Sequence, residues 1–138
     1  MARVLGIDPG TKRCGIAVTD SGPSMAFPRP ALARDDTTMD RLRDLIDEES
    51  IAVIVIGRPL ALSGRETMST ADADDFFSQV QQRFGEVSVV QWDERLTTHE
   101  AQKSLSEAGL TAKSSRARLD SAAAVIMLQN YVDGLNAE

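Results

Sequence analysis

IAVIVIG, residues 51–57, is the stretch that decides the fold. Six apolar residues in a row, most of them β-branched, leave no polar alternation, so neither side of this segment can face water. A strand buried on both faces reads this way and belongs in a parallel sheet covered by helices. Upstream, Met39, Leu42, Leu45 and Ile46 recur at helical spacing from Thr37, behind acidic and threonine residues suited to capping. Downstream, RPLALSGR (58–65) reads as a loop. Thr67–Phe84 reads as a second helix with Phe76, Val80 and Phe84 on one stripe, and VSVVQW (87–92) as another strand.

The N-terminal third has a different rhythm. Val4–Ile7 and Cys14–Thr19 are two strands joined by a Pro-Gly turn. Period-two geometry sets Val4, Gly6 and Asp8 on one face and Leu5 and Ile7 on the other. The small residues Gly6, Gly15 and Ala17 leave room for another element to come close. Met25–Ala33 carries Pro28 and Pro30 among apolar residues, with Pro23 just before it, which suits an outer strand at a sheet edge.

At the other end, Thr97 and Glu100 form a T-x-x-E capping box for a third helix that stops before Gly109. GLTAKSSRAR (109–118) is a flexible basic loop, and Leu119–Val132 is the last helix, with Ala122, Ala123 and Ala124 available for close packing. A β-meander followed by alternating helix and strand implies an α/β domain. The expected sheet is mixed and five-stranded, antiparallel over its first three strands, with helices on both faces.

The 138 residues fit one domain, 1–138, large enough for a real core. Aromatics make up 4%, so Val, Ile, Leu and Ala must build that core. The net charge of −6 argues against a protein that grips nucleic acid through broad electrostatics alone. It leaves room for a site where metal ions bridge carboxylates to phosphate. A single cysteine, Cys14, allows no internal disulfide and no cysteine-based zinc site, and reads as a small buried hydrophobe. With no signal-peptide pattern and no apolar run approaching the ~20 residues of a membrane span, a cytoplasmic protein is expected.

Three acidic positions stand at element ends: Asp8 after the first strand, Asp93 and Glu94 after VSVVQW, and Asp120 at the start of the last helix. Open α/β sheets place their functional crevice at the carboxyl ends of the strands. Carboxylates clustered there need compensation, which Mg²⁺ or Mn²⁺ supplies as hard ions preferring oxygen. Two such ions are a recurrent arrangement for phosphodiester hydrolysis. Each acid also has a plainer explanation. Asp8-Pro9-Gly10 is good turn chemistry, Asp120 can cap its helix, and Asp93-Glu94-Arg95 can be a solvated loop. Their occurrence together makes the metal-site case.

A basic set accompanies them: Lys12, Arg13, Arg58, Arg95, and Lys113, Arg116 and Arg118 ahead of Asp120. Arginine suits phosphate because its planar fork donates two parallel bonds, although solvation accounts for many surface charges. His99 reads as surface decoration. Gly10–Gly15 begins like a Walker A loop, but Ile16 and Ala17 stand where lysine and a hydroxyl are required, so that reading fails. The turn also resembles the phosphate loop of actin-like ATPases, which need two lobes where this chain has one at most.

Four blocks, GIDPGTKRCGIAV, VIGRPLALSGRE, WDERLTTHEAQ and LDSAAAVIMLQNYV, resemble the YqgF family, also called the RuvX or Holliday junction resolvase family. They run in family order from about residue 3 to 133. The resemblance implies an RNase H-like three-layer fold and a Mg²⁺- or Mn²⁺-dependent nuclease. Its expected substrate is structured RNA in 5′-end maturation of pre-16S rRNA during ribosome biogenesis, or branched DNA. A non-catalytic nucleic-acid-binding module is the competing reading, and a homodimer is left open. Carried over, Asp8 and Asp120 would ligate metal, with Glu94 the favoured middle ligand and Asp93 second. Arg13 and Arg95, with Lys12, would contact substrate phosphate. Arg58 stands where the family pattern has an apolar residue and adds a candidate phosphate contact, as do Arg116 and Arg118.

Overall fold

A computed structural model describes residues 3–96 and 121–136. In chain order these form β1 (Arg3–Pro9), β2 (Arg13–Thr19), β3 (Ala26–Ala33), α1 (Thr38–Glu48), β4 (Ile51–Arg58), α2 (Met68–Arg83), β5 (Ser88–Asp93), a 3₁₀ turn (Glu94–Leu96) and α3 (Ala122–Asn136). The expected third helix from Thr97 and the basic loop 109–118 lie outside the described residues. The five strands make one sheet in the order β3-β2-β1-β4-β5. β1, β2 and β3 pair antiparallel, while β4 runs parallel to β1 and β5 parallel to β4. The meander and the parallel half predicted from the sequence are both present.

Alternation along the strands sorts the core into two layers. Leu5, Ile7, Cys14, Ile16, Ile54 and Ile56 meet Leu42 of α1 and Phe76 and Val80 of α2 on one face, with Phe84 just beyond α2. Val4, Ala17 and Val55 meet Ala124, Met127, Leu128 and Val132 of α3 on the other. The β4 run thus feeds both layers, which is why it tolerates no polar residue.

α2 begins on a reciprocal cap between Thr67 and Thr70. α1 starts differently: Thr37 makes no side-chain cap to its helix, and instead both its N–H and its hydroxyl donate to Asp35. β3, with Pro28 and Pro30, takes the outer edge, where a missing N–H costs no ladder bond. Among the described residues no helix is long and apolar enough to cross a membrane.

The close approach expected at the small residues is made by α3. A Cβ added to Gly6 would lie 3.0 Å from Leu128 Cβ. On the helix side Ala124 is buried, Ala122 half-buried and Ala123 exposed, so the alanine run packs mainly through Ala124. Gly6→Val should overpack this contact and lower stability by about 2 kcal/mol. Urea unfolding of the two proteins measures it, and an unchanged midpoint would contradict the packing described.

Candidate active site at the carboxyl edge of the sheet

Because β1, β4 and β5 are parallel, their carboxyl ends line one edge of the sheet. That edge brings together Asp8, Gly57-Arg58 and Asp93-Glu94. Asp8 shares its strand face with Val4 and Gly6, the face covered by α3. Glu94, first residue of the 3₁₀ turn, folds back over the end of β4. A Cβ on Gly57 would stand 2.6 Å from Glu94 Oε1 and 3.1 Å from Met127 Sδ. Bare backbone at residue 57 is therefore what gives the Glu94 carboxyl its place.

Glu94 meets Asp8 there. Burial, a hydrogen bond with the Asp8 side chain, and the negative charges of Asp8 and Asp93 push the Glu94 pKa up to about 8. Two carboxyl groups can share a hydrogen bond only if one of them carries the proton. The adjacent Asp93 turns elsewhere. It accepts from the Arg95 backbone N–H at 2.9 Å and from Arg95 Nη2 at 2.6 Å, and these bonds hold its pKa low. The acidic dipeptide thus divides its work: Glu94 joins Asp8, and Asp93 holds Arg95.

The basic residues are engaged as well. Arg58 Nε donates to Asp74 Oδ1 at 2.9 Å and Arg58 Nη2 to Glu66 Oε1 at 2.5 Å. Lys12, in the turn between β1 and β2, and Arg13, at the start of β2, are exposed. Asp120, Arg116, Arg118, Lys113 and His99 lie outside the described residues, and the described ones contain no cluster of three or more metal-ligating side chains.

Ser121, which no sequence signal marked, is fully buried at the start of α3. Its hydroxyl accepts from the Ile16 N–H at 3.0 Å and donates to the Arg29 carbonyl at 2.6 Å. It does so where the β2–β3 register shifts between Cys14 and Ile16. The helix start is thereby fixed to the strand residue that follows Gly15, the ladder partner of Asp8.

The model of the RuvX family, described as Holliday junction resolvase, matches residues 2–134. The chain belongs to the RuvX family. It is 38% identical to a protein of Bartonella tribocorum over 97% of this chain and 88% of that one. It is 41% identical to one of Leifsonia xyli over 96% and 86%. Both relatives are named "Putative pre-16S rRNA nuclease". By structure, the RuvX chain resembles Thermus thermophilus RuvC in complex with a Holliday junction, with TM-score 0.65 at 13% identity over 99% of this chain and 97% of that one. It also resembles fowlpox virus resolvase in complex with junction DNA, with TM-score 0.58 at 14% identity over 96% and 98%. These likenesses establish the RNase H-like fold.

The described acids of the RuvX chain suit a divalent cation. Both offer hard oxygen donors, and the elevated Glu94 pKa marks a place where a proton now does what a cation would do better. This has a consequence for stability. With its pKa raised from 4.5 to about 8, Glu94 binds more proton in the folded chain than in the unfolded chain between those values, so metal-free stability falls as pH rises through that window. Glu94→Gln in EDTA should remove the fall and raise Tm at pH 8 by roughly 3 °C, with little change at pH 4.5. Thermal melts across pH check this, and parallel profiles for the two proteins would be the contrary result.

Proposed function

We propose that this RuvX-family chain is a cytoplasmic, metal-dependent endonuclease that hydrolyses phosphodiester bonds in 5′-end maturation of pre-16S rRNA. The observation that carries the reading is the meeting of Asp8 and Glu94 at the carboxyl edge of the sheet, where two half-buried carboxyls in contact call for a cation. Family membership supports the reaction class, and the names of the relatives support the substrate.

In this reading Asp8 and Glu94 hold Mg²⁺ or Mn²⁺, with Asp120 completing the set and Asp93 acting through Arg95. The bound ion supplies a lowered pKa for an attacking water and stabilisation of charge on the leaving oxygen. Glu94 gives up its proton to solvent when the ion binds, so affinity for the ion rises with pH up to about 8. Gly57 keeps the path open for the Glu94 side chain. Lys12 and Arg13 take the phosphate backbone on the β1–β2 side. Arg58 and Arg95 can do so on the β4–β5 side by exchanging their carboxylate partners for phosphate oxygens.

The family description also favours branched DNA as a second substrate. A cleavage assay with Mg²⁺ or Mn²⁺, comparing a pre-16S rRNA fragment with a four-way DNA junction, separates the two. Loss of a direct ligand should exceed the 10–100-fold typical of residues that merely support a ligand, so Asp8→Asn should lower cleavage by at least about 100-fold. Full activity in that variant would remove Asp8 from the reaction. Specific RNA affinity without cleavage under any divalent ion would favour a non-catalytic binding module.

A further inference from the structure

We propose that Arg34 is a positioning residue for phosphate binding, clamping the turn between β1 and β2 so that Lys12 and Arg13 are held in place before substrate arrives. The inference rests on the functional reading above, in which those two cations contact the backbone of a nucleic acid.

The turn closes on itself through one bond, from the Gly10 N–H to the Arg13 carbonyl at 3.0 Å. It is tight enough that a Cβ on Gly10 would lie 2.5 Å from Arg13 O. Two further carbonyls of the turn, those of Gly10 and Lys12, are both taken by Arg34. Its Nη1 donates to Gly10 O at 2.8 Å, and its backbone N–H donates to Lys12 O at 2.9 Å. The guanidinium is itself fixed from α2, where Asp72 accepts from Nη1 at 3.1 Å and from Nη2 at 3.0 Å. It also lies over the Phe76 ring, 4.8 Å from the centroid.

Two simpler roles fit less well. An ordinary surface ion pair is worth little and leaves both partners mobile, whereas the Arg34 side chain is 18% exposed and has three kinds of partner. A direct phosphate contact is disfavoured by location. Arg34 packs on Phe76 and beside Cys14, in the layer under α1 and α2, while Asp8 and Glu94 lie on the α3 face. Asp8 itself is held by its ladder partner Gly15 and does not depend on the clamp. The clamp therefore acts on binding and leaves the chemistry alone: a turn ordered in advance spares the entropy of ordering the backbone that carries two cationic side chains.

Asp72→Asn gives the decisive test because two effects oppose each other. Removing a negative charge should tighten nucleic-acid binding if electrostatics alone governs it. Loosening the clamp should weaken binding. With a fluorescent pre-16S rRNA fragment titrated in EDTA, the expected result is a Kd raised about fivefold or more, with kcat at saturating RNA and Mn²⁺ unchanged. Arg34→Lys keeps the charge but loses the fork, and should weaken binding similarly. Equal or tighter binding by Asp72→Asn overturns the inference. So does full affinity in Arg34→Lys, or a fall in kcat with unchanged Kd, the signature of a partly unfolded population. If the wild-type protein has no RNA affinity, the functional reading fails and takes the clamp with it; the other outcomes sink the clamp alone.

Discussion

The contact between the Asp8 and Glu94 carboxyls is the constraint around which the described edge is built. Two acids removed from water cannot both stay ionised unless a positive charge joins them, so their meeting is costly in any protein that does not use it. The chain accepts that cost through several separate features. The parallel run of β1, β4 and β5 aligns the strand ends, the period of β1 sends Asp8 to the α3 face, and Gly57 leaves the slot that Glu94 Oε1 occupies. Neutralising either acid would relieve the pair and favour the metal-free fold. Their joint presence is intelligible if the place belongs to a cation.

The first turns of α2 tie this edge together from the opposite layer. Thr70 donates its hydroxyl to the Pro59 carbonyl, Asp72 holds Arg34, and Asp74 holds Arg58. Residues 70 and 74 share a helix face while 72 does not, so one helix start can reach in two directions. Thr70 and Asp74 reach the exit of β4, and Asp72 acts on the β1–β2 turn through Arg34. The two basic segments beside the acids are thus referenced to one rigid element, buried through Phe76 and Val80.

Much of this architecture was legible in the residues because its physics is local. An uninterrupted β-branched run, a Pro-Gly turn and the stripe Phe76, Val80, Phe84 each follow from periodicity within a few residues, and the structure shows each in place. Asp8 could be singled out because it ends a strand. Alternation could not separate Asp93 from Glu94, since the 3₁₀ turn breaks the strand period at that point. Gly57 carried a faint signal as the break in a β-branched run. Arg34 and Ser121 carried none: their partners lie 24 and 105 residues away, and only the assembled sheet brings them together. Arg58 and Arg95 were legible as cations at strand ends, but not as cations already bound to carboxylates.

With a net charge of −6, general attraction to phosphate is weak, and Arg58 and Arg95 do not stand as bare positive charge. Arg58 is neutralised by Glu66 and Asp74 and Arg95 by Asp93, so a phosphate binding there would have to displace a carboxylate rather than fill a vacant fork. Displacement returns little energy unless the phosphate sits where both the fork and the acid pair can be satisfied at once. A phosphodiester elsewhere on the surface gains nothing comparable. Selectivity for one position along a strand can thus come from competition between carboxylate and phosphate for the same guanidinium, a mechanism that a strongly basic surface would erase.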